Sequence, residues 1–297
     1  MNNYQEELRQ LTILSSYLLR NNKKKKRKFS TILRKRIIKL IFRRHIPQNV
    51  YPNVFHSNNF YPKITNEEMK KISTQKKVIY TCVTGKYDSI HDPVFYDPTF
   101  DYILYTDNPD SIKSKIWQVR RLPRTAEKIN NFILQNRYIK LHPYELFDDY
   151  DFSVYIDANV VLTGDISGYL LQAYSKTGLA IHRHSRRDSV YEEAAACIQL
   201  AKGKPRRLLA QCKKYKSEKF PEHYGLLECN VLVTDLTNKN GEKIYDQWWK
   251  DFIFQQSYRD QMSLPYILWK MGYNIDDVGN LGENVFMDGC FLVVNGH

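Results

Sequence analysis

The stretch VYIDANVVLTGD, residues 154–165, is an apolar run broken by Asp157-Ala158-Asn159, after which apolar residues resume. A short apolar run of this kind suits a strand buried on both faces. A carboxylate at its carboxyl end then faces the crevice where open α/β sheets bind ligands. Two oxygen-bearing side chains separated by one residue can both reach a single hard cation, which can in turn hold two phosphate oxygens. The same Asp and Asn are also ordinary turn formers after a strand. Alone, the motif leaves both readings open.

Working outward, β-rich runs at 78–83, 102–106 and 116–119 precede the motif, followed by a helix over 127–141 and the motif strand at 153–157. After it come a helix over 166–174, a strand at 179–181, helices over 189–202 and 206–215, a strand re-entering the core at 229–233 and a helix opening at Asp260. A short helix begins at the Thr65 or Asn66 cap, with Glu67 and Glu68 in its first turn. Alternation of short strands with helices predicts an α/β fold, a Rossmann-like and mostly parallel central sheet flanked by helices. There are no internal repeats.

Charge divides the chain. Of a formal net charge of +13 over 297 residues, thirteen Lys or Arg fall between Arg20 and Arg44 with no acid among them, and everything from His45 onward sums to +1. The basic character therefore belongs to an N-terminal arm. A neutral body argues against nucleic acid as a partner, which would require the arm alone to bind it. In the arm, Phe29, Ile32, Leu33, Ile37, Leu40 and Ile41 alternate at helical spacing with Arg34, Lys35, Arg36, Lys39, Arg43 and Arg44. Such a helix can lie in the plane of an anionic bilayer, so residues 6–44 are expected to meet an anionic membrane surface; a solvated arm that packs on the body or mediates oligomerisation is the other reading. The expected division is a basic amphipathic helical arm and linker over 1–63 and one domain over 64–297. Five cysteines, an odd number without a C-x-x-C pair, fit a reducing compartment. No run approaches the ~18 apolar residues of a spanning helix. The expected location is cytoplasmic, peripheral to the inner face of the membrane.

Seven ordered motifs sharpen the reading: TCVTGKYD (81–88), YTDN (105–108), IKLHPYELF (139–147), YIDANVVLTGDI (155–166), HRHSRRDSVYEEA (182–194), GLLECNVLVTDL (225–236) and RDQMSLPY (259–266). Over about residues 76–280 the chain resembles the glycogenin-like and galactinol-synthase-like retaining glycosyltransferases of the GT-A fold. It is more similar still to the glycosyltransferase-like family related to plant mucilage biosynthesis. The resemblance implies a GT-A domain that transfers a sugar from a nucleotide-sugar donor, a UDP-hexose, to a glycan or glycolipid acceptor in surface-polysaccharide biosynthesis. A shell of the same fold that binds the nucleotide sugar without turnover is one alternative, and a nucleic-acid-binding protein using the basic arm is the other.

The resemblance also distributes roles. Thr81, Val83 and Tyr87 would cradle the base, with Tyr87 offering a ring to stack. Asp107 would accept from the base or ribose, or else serve as a turn former before Asn108-Pro109. Arg137 and Lys140, three apart on one helix side, would meet the donor diphosphate with Asp157, and Asn230 and Gln261 would contact the donor sugar. Asp260, Lys140 and Glu228 are the catalytic candidates. Asp260 stands beside the anomeric carbon in that reading and is a plain helix cap in the other. A divalent cation, Mn²⁺ or Mg²⁺, would sit on Asp157, Asn159 and His297. His182, His184, Arg187 and Glu192 are candidates for an acceptor or phosphate; a zinc site there has the wrong spacing.

Overall fold

The computed structural model describes residues 64–85, 90–200 and 202–294. The expected arm over 1–63, Tyr87 and His297 lie outside the described residues. Helix α1 (Asn66–Ser73) opens as its sequence requires. Thr65 Oγ1 accepts from Glu68 N and Glu68 Oε2 accepts from Thr65 N, a reciprocal capping box.

The central sheet has seven strands. β1 (Lys77–Val83), β2 (Phe100–Thr106), β3 (Gln118–Arg121) and β4 (Phe152–Ile156) run parallel in the order β3-β2-β1-β4. β7 (Leu227–Asp235) pairs antiparallel with β4 on one side and with β6 (Leu179–Arg183) on the other, and β8 (Gly279–Asn280) extends β6 in parallel. Within this sheet β7 alone runs against the rest, so the mostly parallel α/β architecture expected from the sequence is present.

Alternation along the strands sends side chains to two cores. Val78, Tyr80, Ile103, Tyr155 and Leu232 pack beneath α3 (Phe132–Leu141), α8 (Lys239–Gln255) and α9 (Asp260–Lys270), where Ile139, Trp248, Phe252 and Leu264 meet them. Ile79, Leu104, Val154 and Val233 pack on the other face against Tyr169 and Leu170 of α5 (Ser167–Gln172). Losing one of the fully buried aromatics, such as Trp248, would cost about 3–5 kcal/mol. A small second sheet pairs β5 (Val160–Leu162) antiparallel with β9 (Phe291–Val293), which brings the C-terminal segment back to the motif: Val294 N donates to Asn159 O at 2.9 Å.

Two expected elements differ. The strand at 116–119 lies instead at 118–121, because QVRR is a largely exposed edge strand without apolar patterning, while Trp117 packs below it. The helix over 127–141 is broken into α2 (Arg124–Glu127) and α3, since Asn131 caps the second piece by accepting from Leu134 N at 3.0 Å. Helix α4 (Pro143–Leu146) then leads into β4, and α6 (Val190–Gln199) and α7 (Pro205–Ser217) precede β7.

Candidate active site

β4 ends at Ile156 and the chain turns at once, Val160 N donating to Asp157 O at 2.8 Å. Asp157 N donates to Asn230 O at 2.8 Å, so the pairing with β7 continues one residue past the strand. On its other side β7 is irregular. Ile181 is opposite Leu232 and His182 opposite Glu228, so residues 229–231 face no residue of β6. Bulges bend a strand and re-aim a side chain, and they recur beside active sites. Here the result is Asn230 Nδ2 donating to Asp157 Oδ2 at 3.1 Å. Glu228, two residues earlier in β7, is buried.

Helix α3 supplies the cations. Lys140 is 1% exposed, and a buried ammonium is tolerated only when it is paired. Its Nζ lies 2.7 Å from Asp260 Oδ2 and 3.4 Å from Asp157 Oδ1, with the Tyr155 ring centroid at 4.9 Å. Arg137 Nε, one turn earlier, lies 3.2 Å from the same Asp260 oxygen. Asp260 opens α9, and its Oδ1 accepts from Gln261 N at 3.1 Å while Trp248 Nε1 donates to its carbonyl at 3.0 Å. Asp260 is thus held to the α9 start through Oδ1 and to two cations through Oδ2. Burial alone would raise its pKa, but Arg137 and Lys140 hold the carboxyl well below the usual range, so it is ionised at neutral pH. Two cations and two carboxylates balance, and among the two acids Asp157 has the open side, its side chain 23% exposed against 6% for Asp260.

The carboxyl end of β1 lies beside α3, the helix that carries Arg137 and Lys140. Gly85 has φ +65°, a conformation that favours glycine, and a Cβ there would stand 2.8 Å from the Phe132 ring. Its N–H points at both Asp107 oxygens, each at 3.2 Å, so Asp107 at the end of β2 fixes this turn. Thr84 Oγ1 donates to Phe132 O at 2.8 Å and Asn136 Nδ2 to Cys82 O at 2.7 Å, which ties the start of α3 to β1. Thr81 and Val83 are buried within β1, whereas the ring of Phe132 is more than half exposed.

A second charged cluster lies beyond Asp260. Glu193 of α6 is buried and gathers Arg187 (2.7 Å to Oε2), Arg259 (3.5 Å to Oε1), His184 (3.8 Å) and the Cys197 thiol (3.2 Å). His184 Nδ1 accepts from Arg186 N and Arg187 N, and burial, outweighing the pull of Glu193, lowers its pKa to about 4. It is a neutral ring at pH 7. His182 is fully buried elsewhere, its Nε2 2.8 Å from Asp288 Oδ2, which also accepts from Tyr169 OH at 2.8 Å. The histidines and arginines of 182–187 therefore do not form one cationic surface. Glu192 is half-buried beside the network without being one of its partners in these contacts. Glu193, Arg259 and Asp288 escaped the sequence reading. For Glu193 a signal existed: Val190, Glu193, Ala194 and Cys197 fall on one helical stripe, so Glu193 and not Glu192 faces inward.

Asp157 and Asn159 offer a cation one carboxylate and one amide oxygen, and both Asp157 oxygens already accept hydrogen bonds. Among the described residues no three His, Cys, Asp or Glu side chains form a metal-binding group. This donor set fits a cation shared with a diphosphate, not one held by protein ligands alone.

The family described as TOD1/MUCI70, glycosyltransferase-like domain, matches residues 115–291, more than half of the chain and every residue of the Lys140–Asp157–Asn230–Asp260 cluster. No curated protein matches the sequence. Among solved structures, the apo structure of the WbbM bifunctional glycosyltransferase aligns with a TM-score of 0.43 at 12% identity over 70% of this chain. The chain spans 39% of that protein's chain.

Proposed function

The chain belongs to the TOD1/MUCI70 glycosyltransferase-like family, and from that premise we propose that it transfers a hexose from a UDP-hexose, with retention, to a glycan or glycolipid acceptor of surface-polysaccharide biosynthesis. One observation supports this reading most. Arg137 and Lys140 from α3, Asp157 from the end of β4, Asn230 from the bulge of β7 and Asp260 from the start of α9 meet within ion-pair and hydrogen-bond distance. They do so at the carboxyl end of a parallel sheet, where such folds bind ligands.

In this proposal the nucleoside lies over Gly85 and Asp107, and the diphosphate reaches Lys140, Arg137 and the open side of Asp157. Lys140 offsets charge growing on the departing diphosphate, in a buried setting where a fixed cation counts for more than in water. Asp260, kept ionised by its two cations, sits beside the anomeric carbon and stabilises the positive charge of an oxocarbenium-like transition state. Asn230 holds Asp157 in register and contacts the sugar, and Glu228 and Gln261 complete the pocket wall. Asp157, Asn159 and His297 would hold Mn²⁺ or Mg²⁺, which when bound supplies further charge to the diphosphate. The arm, over residues 6–44, is proposed to meet an anionic membrane surface on the cytoplasmic side.

The test is donor hydrolysis and transfer across a panel of nucleotide sugars, with Mn²⁺ or with chelator, measuring the nucleoside diphosphate released. Release from a UDP-hexose supports the proposal. UDP binding without release from any donor supports the non-catalytic binding protein instead, and neither binding nor release refutes both.

A further inference from the structure

The body of the chain is close to neutral, yet its charge is not evenly spread. Residues 202–219 carry eight Lys or Arg against the single acid Glu218, a local +7 inside a body that totals +1, so the remainder of the body is acidic. The acid is engaged by Lys270 (3.1 Å) and the Tyr266 hydroxyl, and Lys214 alone of the basic residues on α7 is paired, with Asp251 at 3.2 Å. Arg206, Arg207, Lys213, Lys216 and Lys219 are exposed and form no ion pair with an acid among the described residues. Helical spacing aligns them. Leu208, Gln211 and Tyr215 face the core, which leaves Arg206, Ala210, Lys213 and Ser217 along the centre of the outer face with Arg207 and Lys216 at its flanks.

Large apolar side chains stand exposed around this face. Phe254 is 69% exposed, and Ile253 beside it and Leu200 after the end of α6 are each more than a third exposed. One contact sets Phe254 against the flank of α7, and another ties the turn that follows Leu200 to the residues that follow Ile253 and Phe254. Lys214 Nζ lies 5.0 Å over the Phe254 ring, and the turn at Gly203 packs so closely on the residues after α8 that a Cβ there would stand 3.0 Å from Ser257 O. A solvated helix needs cations or nothing; it does not need an uncovered phenylalanine among them. Basic side chains flanking exposed aromatic and aliphatic groups suit the boundary of an anionic bilayer, where the cations meet headgroups and the rings sit at acyl depth.

From this arrangement we infer that the outer face of α7, with Phe254, Ile253 and Leu200, is a membrane-docking surface for anionic phospholipid, built into the folded domain. It is built from residues other than the arm of residues 6–44 and does not depend on the donor assigned under the proposed function.

Because the arm could carry vesicle binding by itself, the test reads the surface locally. Phe254→Trp in the full chain is mixed with vesicles of phosphatidylglycerol and phosphatidylcholine whose acyl chains are brominated, and with vesicles of brominated phosphatidylcholine alone. The added tryptophan emission, taken as the difference from the unsubstituted chain, is expected to be quenched by the anionic vesicles and not by the neutral ones. Adding Arg206→Glu, Arg207→Glu, Lys213→Glu and Lys216→Glu is expected to raise the lipid concentration needed for that quenching about tenfold or more, with unchanged circular dichroism. Sedimentation with vesicles without any quenching of the added tryptophan would overturn the inference, as would no vesicle binding at all. So would a charge-reversed chain that keeps its quenching but loses binding to a soluble polyanion such as heparin, which would assign the face to an acidic polymer.

Discussion

Two buried charged clusters lie side by side in this domain, joined through the neighbouring residues Arg259 and Asp260, and they differ in one respect. Around Glu193, the partners Arg187, Arg259, His184 and Cys197 close on a single carboxylate, and the histidine is kept neutral. Around Lys140, two carboxylates from distant parts of the chain share two cations, and Asp157 retains an open side. The first cluster closes around one buried carboxylate; the second has an open edge, Asp157, at the carboxyl end of the sheet. Burying charge is costly in either case and is offset only by pairing. The two networks differ in where the pairing stops, and only the second leaves a carboxylate with a side open to a ligand.

Four substitutions break or sharpen that contrast. The largest effect is expected from Asp260→Asn, which keeps the shape and removes the charge: kcat for donor release should fall about 10²–10³-fold, with UDP binding changed only a few-fold by calorimetry. Unchanged turnover would remove Asp260 from the chemistry. Next, Glu193→Gln leaves Arg187 and Arg259 without their carboxylate, and denaturant unfolding should show a loss of about 3 kcal/mol, while donor release by the folded fraction stays within a few-fold of the parent. If activity falls as far as in Asp260→Asn, the two clusters are one machine and the contrast is wrong.

Gly85→Ala should act more mildly. The substitution places a methyl group against Phe132 at a positive φ, for a stability loss of about 1–2 kcal/mol and a raised KM for the donor with little change in kcat. The smallest effect concerns pH. The folded-state pKa of His184 is lowered to about 4, so between the ordinary histidine value of about 6.5 and pH 4 the unfolded chain takes up a proton that the folded one refuses. Stability contributed by the neutral ring is full above that window and declines as pH falls through it. His184→Gln should flatten that decline without abolishing it, because burial lowers the pKa of His142 too. A pH–stability curve unchanged by the substitution would mean that His184 takes up its proton in the folded chain.

Much of the fold was legible in the sequence because its central strands are apolar runs and α1 opens on a capping box. Thr65 with Glu68 is a local signal that the structure repeats in hydrogen bonds, whereas the Asn131 cap that splits the expected 127–141 helix went unread. The edge strand β3 was misplaced since an exposed QVRR has no pattern to read. In the site, Asp157 was visible as a polar break after an apolar run, but its meeting with Lys140, Asn230 and Asp260 spans more than a hundred residues and was suggested by resemblance alone. The β7 bulge that aims Asn230 depends on how two strands fail to match, which no single segment encodes. Asp288 beneath His182 is likewise a tertiary pairing across 106 positions. The charge of residues 202–219 was present in the sequence from the start and was hidden by averaging over the body.

The proposed role of Lys140 and Arg137 is to receive the donor diphosphate. Its most direct measurement is the dissociation constant of UDP, by calorimetry, for the parent chain and for Lys140→Gln and Arg137→Gln, each checked for folding by circular dichroism. The parent is expected to bind UDP and each substitution to weaken binding about tenfold or more, as for losing a charged hydrogen-bond partner. UDP binding that is absent from the parent, or unmoved by both substitutions in folded protein, would contradict it.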